Sequence, residues 1–273
     1  MSKKDSSKKG LSMKTMNLAP VLLALLAMAV PAGAAAPPDY TVWGNLLSKH
    51  YDPAKGMDYK ALKAQDKKTL DDLRRQLATV DVQTLNKQDQ LAYWINLYNI
   101  NVVGVVVDNY PIESIKDLST DPIIRLNVFK KPYVQTKRGA ISLNDVENER
   151  IRDGFKDPRI HFAINCAAQS CPPIRTEPYV GSKVSEQLDD QARKFINGPN
   201  GVRLEKGSGG ALVLHTTKIM DWFQTDFDKW GGGRVPFLIR YASSDKRKQI
   251  EAAGNQAKLA FDDYSWKLND ASK

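Results

Sequence analysis

His161, Cys166 and Cys171 stand close together in the run DPRIHFAINCAAQSCPPI, from Asp157 to Ile174, which holds both cysteines of the chain and one of its three histidines. Cysteine thiolates and imidazoles are the side chains best suited to nucleophilic or metal chemistry, so any bond-making function has to pass through this segment. A thiolate nucleophile needs a base within hydrogen-bond reach and a third group to orient that base. His161 is the candidate base, Cys166 or Cys171 the nucleophile, and Glu147 or Asn165 the orienting group. The reaction class would be acyl transfer or amide hydrolysis.

Two other readings use the same residues. In an oxidising compartment two cysteines this close commonly pair. Such a short loop yields on the order of 2 kcal/mol in the chain-entropy model, but it fixes a turn. The protein would then be a non-catalytic binding or envelope-maintenance module with a Cys166–Cys171 disulfide. The third reading is zinc, held by His161, Cys166 and Cys171, with Glu147 as a fourth ligand or an open position left for water. The spacing H-x4-C-x4-C fits no familiar zinc pattern, so neither a metal nor another cofactor is expected. Ser170 lacks the G-x-S-x-G elbow of a serine hydrolase.

The elements that must position these residues follow from local pattern. Arg159 to Asn165 alternates in polarity, with Ile160, Phe162 and Ile164 on one side, which predicts a half-buried strand. Pro172 and Pro173 then forbid its continuation. On an unbroken strand His161 and Cys166 face opposite ways, so pairing them requires a bend at Asn165.

Upstream, helices are expected over Tyr40 to Tyr51 and Tyr59 to Val80. The strongest helix is Lys87 to Asn109, capped by Asn86, with Leu91, Trp94, Ile95, Tyr98, Val102, Val105 and Val106 at helical spacing and Pro111 as its stop. Asn96 and Asn99 lie on another face of it, either as structural hydrogen-bonders or as the lining of a site. Asn127 to Ser142 reads as a hairpin, and Leu143 to Phe155 as a short helix bearing Glu147 and Arg152. Downstream come an amphipathic helix from Lys183 to Ile196, a hairpin around Gly207 to Gly210, an aromatic-rich stretch from Ile219 to Phe227, a helix from Pro236, and a last strand within Lys258 to Leu268. Helices interspersed with antiparallel hairpins give an α+β fold, helices packed on a small antiparallel sheet.

Composition bounds the rest. With 42% hydrophobic and 26% charged residues, the 273-residue chain can build a core and is not a disordered one. Residues 1–36 carry early lysines, an apolar run from Leu18 to Val30 and Ala32-Gly33-Ala34, the pattern of a secretory signal peptide. The chain is thus expected to be periplasmic or secreted, as a single domain over 39–270 with no membrane span in the mature part. Five lysines and one aspartate lie in residues 1–34, so cleavage takes the formal charge from +9 to +5. The remaining basic residues are scattered and not interleaved with aromatics, which argues against nucleic acid as a partner. Location points to extracytoplasmic peptides or cell-wall amides as substrates.

The blocks LAYWINLYNI, LNDVE, DPRIHFAINCAAQSCPPI, KIMDWFQTDF and YSWKLN resemble the DUF547 family, over roughly Tyr40 to Asn269. The arrangement is also similar to papain-like and transglutaminase-like folds, which implies a packed helix against an antiparallel sheet that carries the catalytic histidine. Those enzymes place a nucleophilic cysteine at the start of the central helix, where this chain has none. Beside Cys166, Cys171, His161 and Glu147, the expected site takes in Asn96, Asn99, Arg152 and Asn165.

Overall fold

From Leu91 to Val107 every residue of the helix Lys87–Asn109 is buried. A helix apolar on most of its circumference has to be wrapped by other elements, and valine-rich turns of low helix propensity hold their shape through that wrapping. Asn86 caps it by accepting the Asp89 N–H at 2.9 Å. The helix Tyr59–Ala78 packs against it and the helix Thr41–His50 against Tyr59–Ala78, contributing Trp43, Leu46, Leu47, Leu62, Leu70, Leu73 and Leu77 to a first core. Each fully buried leucine of this set contributes about 1.5–3 kcal/mol.

The computed structural model describes residues 33, 35–120, 127–207, 210–254 and 257–273. Ala34–Lys273 forms one compact unit. The leader expected over 1–36 lies almost wholly outside the described residues, as does the tip of the glycine hairpin at 208–209. Among the described residues no helix is long and apolar enough to cross a membrane.

A second core gathers Phe162, Phe195, Leu214, Met220, Phe227, Phe237 and Tyr241. It lies among the helix Val184–Asn197, the helix Arg234–Tyr241 and a three-stranded sheet. In that sheet Arg203–Lys206 runs antiparallel to Leu212–Thr216, with Leu204 opposite Leu214. Lys258–Phe261 joins the other edge in parallel, with Leu259 opposite Leu214. Two further pairs, Tyr51–Asp52 with Gly56–Met57 and Val134–Thr136 with Gly139–Ile141, are antiparallel hairpins. The fold is α+β.

Several elements differ from expectation, each for a local reason. Arg159 to Asn165 is not a strand. Pro158–Phe162 is a 3-10 helix, because Asp157 accepts the Arg159 N–H at 3.0 Å and Pro158 occupies its first turn. The alternating apolar residues serve two cores rather than one sheet face: Ile160 and Ile164 enter the first, Phe162 the second. The segment Leu143 to Phe155 is helical but not uniformly α. Ser142 and Asp145 form a reciprocal cap, and Val146–Arg152 then widens into a π-helix. The 127–142 hairpin is confined to Val134–Ile141, with Asn127–Lys130 a 3-10 turn. The last strand stops at Phe261, which frees Tyr264 and Trp266 to reach elsewhere.

Candidate active site

The 3-10 helix that carries His161 is pinned between the two cores, and this fixes the ring. His161 is 2% exposed and stacks on Phe223 with ring centroids 4.1 Å apart. Its Nε2 lies 2.8 Å from Asp226 Oδ2. Arg152 grips the same carboxylate with two donors, Nε at 2.7 Å from Oδ2 and Nη2 at 3.0 Å from Oδ1, and lays its guanidinium over the Phe223 ring. Burial pushes the His161 imidazole below its ordinary value, outweighing the pull of Asp226 toward the charged form. Burial would raise Asp226, but hydrogen bonds from His161 and Arg152 outweigh it and hold the carboxyl well below the usual range. A neutral ring donating from Nε2 to this carboxylate keeps a lone pair on Nδ1, which no described residue bonds.

His161 borders a cavity of about 500 Å³ that Glu147, Cys166 and Cys171 also line. Its walls are largely aromatic: Tyr98, Phe129, Trp222, Phe223, Tyr264 and Trp266. Trp222 is 46% exposed at this wall and packs on Tyr264, with ring centroids 4.8 Å apart. Glu147 comes from the π-helical turn, a geometry often found where a helix must aim a side chain into a site. Burial raises its carboxyl above the ordinary value, and the Tyr98 O–H donates to it at 3.3 Å.

The two sulfurs of Cys166 and Cys171 lie at disulfide distance from each other. The Tyr264 hydroxyl is 3.1 Å from each sulfur, and the Cys166 N–H points at Cys171 Sγ from 2.9 Å. Ala167, directly after Cys166, holds a φ of +63°, unusual for a residue with a Cβ. Bonds within the loop hold that conformation. Asn165 Oδ1 accepts the Ala167 N–H at 2.8 Å, and its Nδ2 donates to Pro172 O at 2.7 Å across the cysteine loop.

The residues named from sequence therefore divide. Glu147, His161, Cys166 and Cys171 converge on one cavity, through a turn at Asn165 rather than a strand. Asn165 binds backbone and does not orient the imidazole; Asp226 does. Arg152 acts through that carboxylate. Asn99 binds Ala163 O and the Asn165 N–H, both at 2.9 Å, and so ties the cysteine loop to the central helix. Asn96 clamps both backbone groups of Tyr179. Neither asparagine borders the cavity. Among the described residues no three His, Cys, Asp or Glu side chains group as a metal site.

Residues 82–196 match the family described as Protein of unknown function, DUF547. No curated protein and no solved structure matches the chain. The DUF547 stretch contains the cysteine loop, His161, Glu147 and both scaffold asparagines. Asp226, Tyr264 and Trp222 come from beyond it, so the site is completed by the downstream part of the chain. The papain-like resemblance implied a histidine on a sheet; in this chain His161 sits on a helical turn, and the central helix is free of cysteine.

Proposed function

We propose that this protein is a cysteine-dependent hydrolase or acyl transferase of an extracytoplasmic compartment, active in its dithiol form on peptide or amide substrates. The observation that carries this reading is the His161–Asp226 pair at the wall of the cavity lined by Cys166 and Cys171. It supplies the base and orienter that a thiol nucleophile requires. Cys166 is the more exposed of the two cysteines and is the nucleophile in this reading. Its proton passes to Nδ1 of His161, the thiolate adds to the substrate carbonyl, and the imidazolium returns the proton to the leaving amine. Water or a second amine then takes the acyl group from sulfur. Asp226 keeps the Nε2 proton in place and offsets the imidazolium charge. Aromatic walls suit an apolar acyl part.

The test is acyl trapping. The reduced full chain is incubated with a small activated ester, and intact-mass and peptide spectra locate the acyl group. Acylation of Cys166 that depends on folding and disappears in His161→Ala supports the reading. Labelling no faster than in the unfolded chain would sink it.

A second reading has its own observation, the sulfurs at bonding distance. In it the protein is a binding module, the bridge shapes the cavity wall, and the aromatic cavity holds a ligand without turning it over.

A further inference from the structure

The Cys166–Cys171 bridge is placed poorly for a fastener. It closes a short loop, so its chain-entropy contribution is small, on the order of 2 kcal/mol. Two cores and a network of buried asparagine bonds already hold the same loop. Both sulfurs instead line the aromatic cavity, and Cys171 also borders a second cavity of about 420 Å³ beside Lys55, Asn165 and Lys194.

The donors around the bridge differ between its two ends. The Tyr264 hydroxyl, 3.1 Å from each sulfur, has one proton to share between them, so the ends differ by the Cys166 N–H, which donates to Cys171 Sγ at 2.9 Å. A bridged sulfur is a weak acceptor and a thiolate a strong one, so these contacts gain strength only when the bridge opens. The sulfur with more donors is the better leaving group. Cys171 is 8% exposed and Cys166 more so, so we assign Cys166 as the cysteine that an incoming thiolate attacks. Burial keeps the Tyr264 phenol protonated and hence a donor. Glu147, its carboxyl raised above the ordinary value by burial, lines the same cavity.

We propose that Cys166 and Cys171 are a redox-active pair that undergoes thiol–disulfide exchange with a dithiol entering the aromatic cavity. One thiolate of the dithiol attacks Cys166 Sγ. A mixed disulfide forms, the Cys166–Cys171 bond breaks, and Cys171 leaves as a thiolate held by Tyr264 and the Cys166 N–H. The second thiol of the dithiol, deprotonated, attacks its partner sulfur in the mixed disulfide and expels Cys166. Two electrons and two protons pass from the dithiol to the pair, and the dithiol ends as a disulfide. This inference does not rest on the acyl-transfer reading, since it needs no carbonyl substrate and no His161 base; it supplies the route by which the dithiol form arises.

The experiment equilibrates the folded full chain with graded mixtures of reduced and oxidised glutathione, then with reduced and oxidised dithiothreitol, and counts alkylated cysteines by mass. Glutathione mixtures are expected to open the bridge without denaturant. Tyr264→Phe, confirmed folded by circular dichroism, is expected to shift the equilibrium constant about tenfold toward the bridged form, equivalent to about 30 mV. A bridge that glutathione leaves closed in the folded chain, or a Tyr264→Phe constant equal to the parent's, overturns the proposal. Single-cysteine chains give a readout independent of that variant. With an aromatic disulfide probe, Cys166 in Cys171→Ser is expected to react at least about tenfold faster than Cys171 in Cys166→Ser. Equal or reversed rates overturn the assignment of attacked and leaving sulfur. An exchange-competent pair in a protein that never acylates Cys166 would leave this inference standing and remove only the acyl-transfer reading.

Discussion

His161 Nε2 and Asp226 Oδ2 lie 2.8 Å apart although 65 positions separate them in the chain. The carboxylate is shared, because Arg152 binds both of its oxygens. One acidic group thus sets the tautomer of the imidazole and anchors the guanidinium packed on Phe223. Asp226→Asn removes the charge and can donate to Nε2, which would move the ring proton to the nitrogen needed as a base. Acylation or alkylation of reduced Cys166 near neutral pH is expected to fall by about 10² or more. Stability should drop by only about 1–2 kcal/mol, since the ion pair is partly solvated. Rates near the parent's would mean that His161 does not act on the thiol.

Asn99 joins the central helix to the loop that presents Cys166, through bonds to Ala163 O and the Asn165 N–H. Asn99→Ala leaves both buried groups unpaired and is expected to cost about 2–4 kcal/mol in urea unfolding. It should also change the alkylation rate of the reduced cysteines. Asn96→Ala, which frees the two backbone groups of Tyr179, should cost a similar amount and leave thiol reactivity unaltered. If both variants change reactivity alike, the two asparagines are one undifferentiated scaffold.

What the sequence made legible follows from how local each signal is. The central helix could be read because its cap, period and proline stop all lie within it. The cysteine segment could be read because rare residue types cluster there. The segment at Arg159 was misread because alternation marks two buried faces, and whether those belong to a sheet or to two separate cores depends on elements far away. Asp226 and Tyr264 gave no local sign of their roles. They act only once the chain closes on itself, although both stand in blocks, KIMDWFQTDF and YSWKLN, that carry the family resemblance. The π-helical turn under Glu147 left no trace at all, since it is a property of backbone pairing and not of side-chain period.

Phe162 and Trp222 test whether the seam or the cavity mouth matters more to stability. Phe162 is fully buried among Phe195, Phe227 and Phe237. Phe162→Ala is expected to lose about 3–5 kcal/mol, and by loosening the second core it should slow any chemistry that depends on His161. Trp222→Ala should stay within about 0.5 kcal/mol of the parent, while weakening whatever binds against the aromatic wall. Calorimetry separates the two, and a large stability loss at Trp222 would recast that residue as part of the core.

Glu147 allows a prediction with a definite sign in pH. Burial raises its carboxyl above the reference value of 4.5 in the folded chain, although Arg152 and the Tyr98 hydroxyl pull the other way. Between 4.5 and the raised folded value, the folded chain binds more protons at this residue than the unfolded chain does. Stability from this residue therefore falls as pH rises through that window, and the penalty is complete above it. Glu147→Gln keeps the shape and an acceptor for Tyr98 but cannot ionise. The variant should match the parent below about pH 4, where both side chains are neutral, and become the more stable of the two as pH increases. Melting temperatures of both proteins between acid and mildly alkaline pH read this directly. A variant less stable than the parent at neutral pH, with the gap widening upward, would mean that Arg152 holds the ionised carboxylate.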